Sequence, residues 1–67
     1  MILLNGERCE LAGGETVLAA LARLGLEGDA RGVAVAVDGE VVPRARWASH
    51  PLAEGARVEV LTAMQGG

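Results

Sequence analysis

Val33-Ala34-Val35-Ala36-Val37-Asp38-Gly39-Glu40-Val41-Val42-Pro43 is the stretch on which the fold turns. Val33, Val35 and Val37 alternate with Ala34 and Ala36, so in a strand the bulky side chains share one face and the small ones the other. Asp38-Gly39 is a hairpin turn signal, Glu40 to Val42 can pair back, and Pro43 confines that return to a sheet edge or ends it. A hairpin with one apolar face needs a covering layer, and the preceding segment supplies one. After Gly13-Gly14 come Glu15, the expected N-cap Thr16, and then Val17, Leu18, Leu21 and Leu24 at helical spacing until Gly25 stops the run. This predicts one amphipathic helix of roughly two to three turns, joined to the strand by a polar loop over Gly28 to Gly32 with Asp29 and Arg31.

Further out, Met1 to Asn5 reads as a strand, Asn5-Gly6 as a type I′ turn, and Glu7 to Leu11 as the antiparallel return. Arg44 to Ala56 has no sustained period and carries turn signals at Pro51-Leu52 and Glu54-Gly55. Arg57 to Ala63 is the last strand, with Val58, Val60 and Thr62 on one face and Glu59, Leu61 and Ala63 on the other. The order strand, strand, helix, strand, strand, strand predicts an α+β domain over residues 1–63, one helix packed across one face of its sheet, and a flexible tail over 64–67. If Ile2, Leu4, Val33, Val35, Val37, Val58 and Val60 face the helix, then Leu3, Leu61 and Ala63 lie on the opposite face. There they form a candidate partner-docking patch beside the root of the tail.

The 67 residues are 51% hydrophobic, enough for one modest core and too few for a cleft between two lobes. No apolar run reaches the roughly 20 residues that span a bilayer, and no basic segment with a cleavage site follows Met1, so the expected location is the cytoplasm, away from membranes. A net charge of −3, with one Trp and no other aromatic, disfavours nucleic acid. The single cysteine, Cys9, cannot form an internal disulfide, and with one histidine it cannot complete a four-ligand metal site. All six basic residues are Arg, so no side-chain amine offers Schiff-base chemistry. Ser49 and His50 are adjacent in the chain and read as loop residues rather than a nucleophile and its base. Gly13-Gly14 lacks the Lys-Ser or Lys-Thr of a phosphate loop, and the carboxylates are scattered rather than paired. Trp47 is expected to cover one end of the core with Arg44 or Arg46 over its ring, the other reading being a partner anchor. No side chain is therefore a catalytic candidate, and no bound cofactor or metal is expected.

The tail differs in kind. Met64, Gln65, Gly66 and Gly67 project an α-carboxylate by at most about 13 Å, far enough to enter another protein's cleft. Without Cβ atoms, Gly66-Gly67 can be threaded where other dipeptides collide. A carboxylate becomes an electrophile once it attacks the α-phosphate of ATP to form an acyl-adenylate, and sulfur delivered to that carbonyl makes a thiocarboxylate. Read alone, a terminal Gly-Gly is frayed chain; it gains meaning from the strand that runs into it.

The sequence resembles the ThiS family of sulfur carriers in thiamin biosynthesis over essentially its whole length. The resemblance rests on Asn5-Gly6, Thr16-Val17 with Leu21, the run Val35 to Arg44, Trp47, Pro51-Leu52, Gly55, Val58-Glu59-Val60, and Met64-Gln65-Gly66-Gly67. Its most specific parts are Val41-Val42-Pro43-Arg44 with Trp47, and Gln65-Gly66-Gly67; Asp38 stands where the family often has Asn, and both suit the turn. The resemblance implies a ubiquitin-like β-grasp roll with a mixed sheet. It also implies adenylation of Gly67 by an E1-like ThiF-type enzyme that uses ATP, with sulfur from a cysteine desulfurase and delivery to a ThiG-type thiazole synthase. Met64, Gln65 and Gly66 would thread into these partners. Three alternatives stand beside it: a molybdopterin-synthase small subunit, a non-catalytic β-grasp binding module, and a ubiquitin-like modifier.

Overall fold

The computed structural model describes residues 1–11, 14–26 and 32–62. Two hairpins supply four strands. β1 (Ile2–Leu4) and β2 (Glu7–Cys9) flank Asn5-Gly6, and β3 (Val33–Val37) and β4 (Glu40–Val42) flank Asp38-Gly39. At both turns the two central residues have positive φ: 52° and 85° at Asn5-Gly6, 50° and 88° at Asp38-Gly39. This is the type I′ geometry that matches strand twist, and it explains why Asn or Asp followed by Gly occupies each turn. The strand β5 (Arg57–Thr62) lies between the hairpins, giving the order β2-β1-β5-β3-β4. β5 runs parallel to β1 and antiparallel to β3. A mixed five-stranded sheet with one helix on one face is the β-grasp arrangement. Strand β2 ends at Cys9 rather than the expected Leu11, which leaves the ladder and enters the core.

The turn residues also tie the hairpins to β5. Asn5 Oδ1 accepts the Val60 N–H at 2.7 Å, and Asp38 Oδ1 accepts the Arg57 N–H at 3.0 Å. Asn5 thus continues the β1–β5 ladder after β1 has turned away. We expect Asn5→Gly, which keeps the positive φ but removes the acceptor, to lower stability by about 1–2 kcal/mol; an unchanged urea midpoint would show the bond to be idle.

α1 (Val17–Arg23) begins after Thr16 as expected, but the Thr16 side chain makes no capping bond. The loop before β5 does the capping: the His50 and Trp47 carbonyls accept the Val17 and Leu18 N–H groups at 3.1 and 3.0 Å. Backbone carbonyls thus meet donors that a helix leaves unpaired at its start. At the other end Gly25 has φ 75°, its N–H reaches the Ala22 carbonyl and that of Leu26 reaches Leu21. Those two bonds form a Schellman stop, and only a residue free of the Cβ penalty suits its left-handed position.

The core follows the alternation. Ile2, Leu4, Val35, Val37, Val42, Val58 and Val60 from the sheet are buried against Val17, Ala20 and Leu21 of the helix. Leu18 packs at its margin, whereas Leu24, expected on the helix's apolar face, is 42% exposed because it is the C-cap residue. The irregular segment after β4 closes the end of the core with a 3-10 turn at Arg44–Arg46 and the buried residues Trp47, Leu52 and Ala56.

Candidate functional site

Residues Ala63, Met64, Gln65, Gly66 and Gly67 lie outside the described residues, as does the expected boundary between domain and tail. What the structure describes is their root. β5 is the central strand, held on both sides, and it carries the chain to Thr62. β1 pairs with it at Arg57 and Val58, and β3 pairs with it from Val58 to Thr62, so Thr62 is held by Val33.

On the face away from the helix, β5 presents Arg57, Glu59 and Leu61, all exposed. Leu61 is opposite Ala34, Glu59 is opposite Ala36, and Ala36 is opposite Val41 on the other side of β3. Leu61 is 71% and Val41 77% exposed. Leu61, Ala34, Ala36 and Val41 therefore form an apolar strip across three adjacent strands. Of the expected patch, Leu3 and Leu61 are on this face, and Ala63 is outside the described residues. Leu3 and Leu61 line one shallow depression, but Arg57 and Glu59 stand between them along the strand, and Leu3 is only half-exposed. The continuous apolar surface runs from Leu61 toward β4. Val41 was not among the expected patch residues, although the Val41-Val42 alternation after Asp38-Gly39 could have marked it: Val42 turns inward, so Val41 must turn out.

The remaining candidates are structural. Trp47 is 2% exposed, donates its Nε1–H to the Val42 carbonyl at 2.9 Å, and lies under Arg44, whose guanidinium carbon is 5.2 Å from the ring centroid. Its indole therefore fills the core and satisfies its one donor there, which disposes of the partner-anchor reading. Ser49 donates to the Arg46 carbonyl at 3.4 Å, and the His50 N–H reaches the same carbonyl at 2.8 Å, so both belong to the loop that caps the helix. Cys9 is half-buried against the core. Among the described residues no three His, Cys, Asp or Glu side chains converge as metal ligands, and no helix is long and apolar enough to cross a membrane.

A family model described as "ThiS family" matches residues 2–67, nearly the whole sequence and all of the tail. The chain belongs to the ThiS family. Within reach of it is the "Sulfur carrier protein ThiS" of Escherichia coli (strain K12), 34% identical over 68 residues, covering 98% of this chain and 97% of that protein. The fold agrees too. A crystal structure of a thiamine biosynthesis protein (ThiS) from Geobacter metallireducens superposes with a TM-score of 0.76 at 29% identity, covering 98% of this chain and 97% of the other. The ThiS resemblance of the sequence and the β-grasp architecture thus converge on one family.

Proposed function

We propose that the protein is the sulfur carrier for thiazole formation in thiamin biosynthesis and that its working group is the Gly67 carboxylate. The supporting observation is that the ThiS family match runs through Gln65-Gly66-Gly67, beyond a domain whose described side chains include no catalytic constellation. In this reading an E1-like ThiF-type adenylyltransferase binds the domain and threads Met64 to Gly67 into its site. There the carboxylate oxygen attacks the α-phosphate of ATP, pyrophosphate leaves, and the acyl-adenylate forms. Sulfur drawn from cysteine by a desulfurase arrives as a persulfide, whose outer sulfur displaces AMP to give an acyl disulfide; a thiol reductant then cleaves the S–S bond and leaves the thiocarboxylate. That group is a soft nucleophile, and the carrier takes it to a ThiG-type thiazole synthase. The protein acts as a co-substrate in these reactions; ATP is consumed by its partner and no cofactor stays bound to the carrier.

Intact-mass measurement after incubation with the activating enzyme, ATP and a sulfur donor tests this. The expected change is one oxygen replaced by one sulfur at the terminus. Failure to see it with an active partner enzyme would remove the proposal, and amide-linked adducts on other proteins would favour a modifier instead. The name of the Geobacter metallireducens relative, a thiamine biosynthesis protein, favours thiamin over the pterin pathway.

The outer strip suggests a second measurement. Leu61→Glu changes an exposed side chain in a strand, so its effect on stability should stay within about 0.5 kcal/mol. Its affinity for the ThiF-type or ThiG-type partner should fall, because a carboxylate would have to be desolvated where an apolar side chain was covered. Affinity unchanged from the parent chain for both partners would exclude Leu61 from either interface.

A further inference from the structure

Glu59 occupies the middle of β5 on the sheet face that α1 leaves bare. Its cross-strand neighbour is Ala36, beyond which lies Val41, and one pleat further along the strand Leu61 faces Ala34. Both shallow depressions next to Leu61 are lined by Glu59, one with Leu3, Asn5 and Gly6, the other with Ala34, Ala36 and Val41. The carboxylate makes no ion pair or side-chain hydrogen bond with any described residue, although Arg57 is two positions away on the same face. An acid without a partner among the described residues thus sits among Ala, Val and Leu on the sheet face that α1 leaves bare.

The tail decides what covers that surface. Residues 63–67 follow Thr62 and span at most about 18 Å, so a protein that takes Gly67 into its site comes within that distance of the end of β5. α1 packs on the inner face of the sheet, which leaves the outer face open to a receiving protein. Leu61 adjoins Thr62, and Glu59 is three positions back, about 10 Å along the strand. A purely apolar counter-surface would strip water from the Glu59 carboxylate and give nothing back.

We propose that the ThiF-type enzyme, as it takes in the tail, covers this face with an apolar side chain over Leu61 and Val41 and places an Arg or Lys against Glu59. Glu59 is then a recognition residue for the sulfur-transfer partner, a role that rests on the carrier reading. The chain's net charge of −3 fits a basic counter-surface, and charge complementarity acts on encounter rate and partner choice. Leu61 supplies contact area at the same site, and Glu59 supplies the discrimination.

The experiment compares Glu59→Arg with Glu15→Arg, an identical change in net charge at an exposed residue that precedes the helix. Kd for the ThiF-type enzyme is measured at low and high salt, with the unfolding temperature of each variant as a check on folding. Glu59→Arg should raise Kd at least about tenfold and flatten its salt dependence. Glu15→Arg should change both far less. Equal effects of the two variants, or an unchanged Kd for Glu59→Arg, would overturn the proposal. Thiocarboxylate formation by the unaltered chain at saturating concentration is scored separately: its absence would sink the carrier reading, whereas its presence with an unperturbed Glu59→Arg variant would sink only the recognition role.

Discussion

Deleting Gly67 is expected to abolish thiocarboxylate formation while leaving the unfolding transition where it was. The argument is one of length. The tail starts from Thr62 on a strand bonded to both of its neighbours, so removing one residue draws the terminal carboxylate back by about 3.3–3.6 Å. Reacting atoms must come within about 3–3.5 Å of one another, and a misplacement of about 1 Å can already cost on the order of a hundredfold in rate. The shortened carboxylate would thus stop short of the α-phosphate. Appending one glycine should be nearly as damaging, because the group would then overshoot. Intact mass after incubation with ATP, sulfur donor and activating enzyme reads both variants. Conversion of the lengthened chain at the normal rate would show that the terminus is not held at a set depth. Thermal unfolding should not distinguish the variants, since the described core and sheet are built from residues up to Thr62.

Trp47→Ala should have the largest effect on stability. The indole is buried, its N–H is bonded to Val42, and the residue's own carbonyl holds the Leu18 N–H at the start of α1. Truncating a buried Trp costs about 3–5 kcal/mol, while a domain of this length has roughly 3–10 kcal/mol in total. The variant should therefore be marginal or largely unfolded at room temperature, as read by urea denaturation followed by circular dichroism. Trp47→Phe keeps most of the ring and loses the donor to the Val42 carbonyl, for an expected cost of about 1–2 kcal/mol. A loss of less than about 1 kcal/mol for the alanine variant would mean that the loop over the core end contributes little.

Where the sequence was legible, local chemistry and tertiary structure asked for the same thing. Asn5-Gly6 and Asp38-Gly39 have one good solution, a turn with two positive φ values, and both hairpins form there. The Val-Ala alternation of β3 likewise permits one orientation once a helix covers the sheet. The parallel pairing of β1 with β5 is another matter: nothing within either strand signals a partner at the far end of the chain, and the resemblance rather than the pattern implied a mixed sheet. Thr16 shows tertiary structure overriding a local preference, since the Trp47 carbonyl already accepts the Leu18 N–H, one of the two donors that its hydroxyl could have taken. Leu24 matched the helical spacing but falls at the C-cap, where the chain is already turning away from the sheet. In the candidate site, the outward alternation of Leu3, Glu59 and Leu61 could be read directly. Val41 falls outside the expected patch because Glu40 to Val42 is a short hairpin return whose outward face shows only once its pairing with β3 is known.

The place of β5 in the sheet also bears on how the protein is made. The strand that joins the two hairpins is the last of the five to leave the ribosome, so a nascent chain without it holds two separate hairpins and a helix with no sheet to cover. Short hairpins of this kind are marginal by themselves. Cooperative folding must therefore wait until the segment leading into Gly66-Gly67 has been synthesised. A product cut off before β5 would lack the strand that joins its hairpins and is expected to remain unfolded.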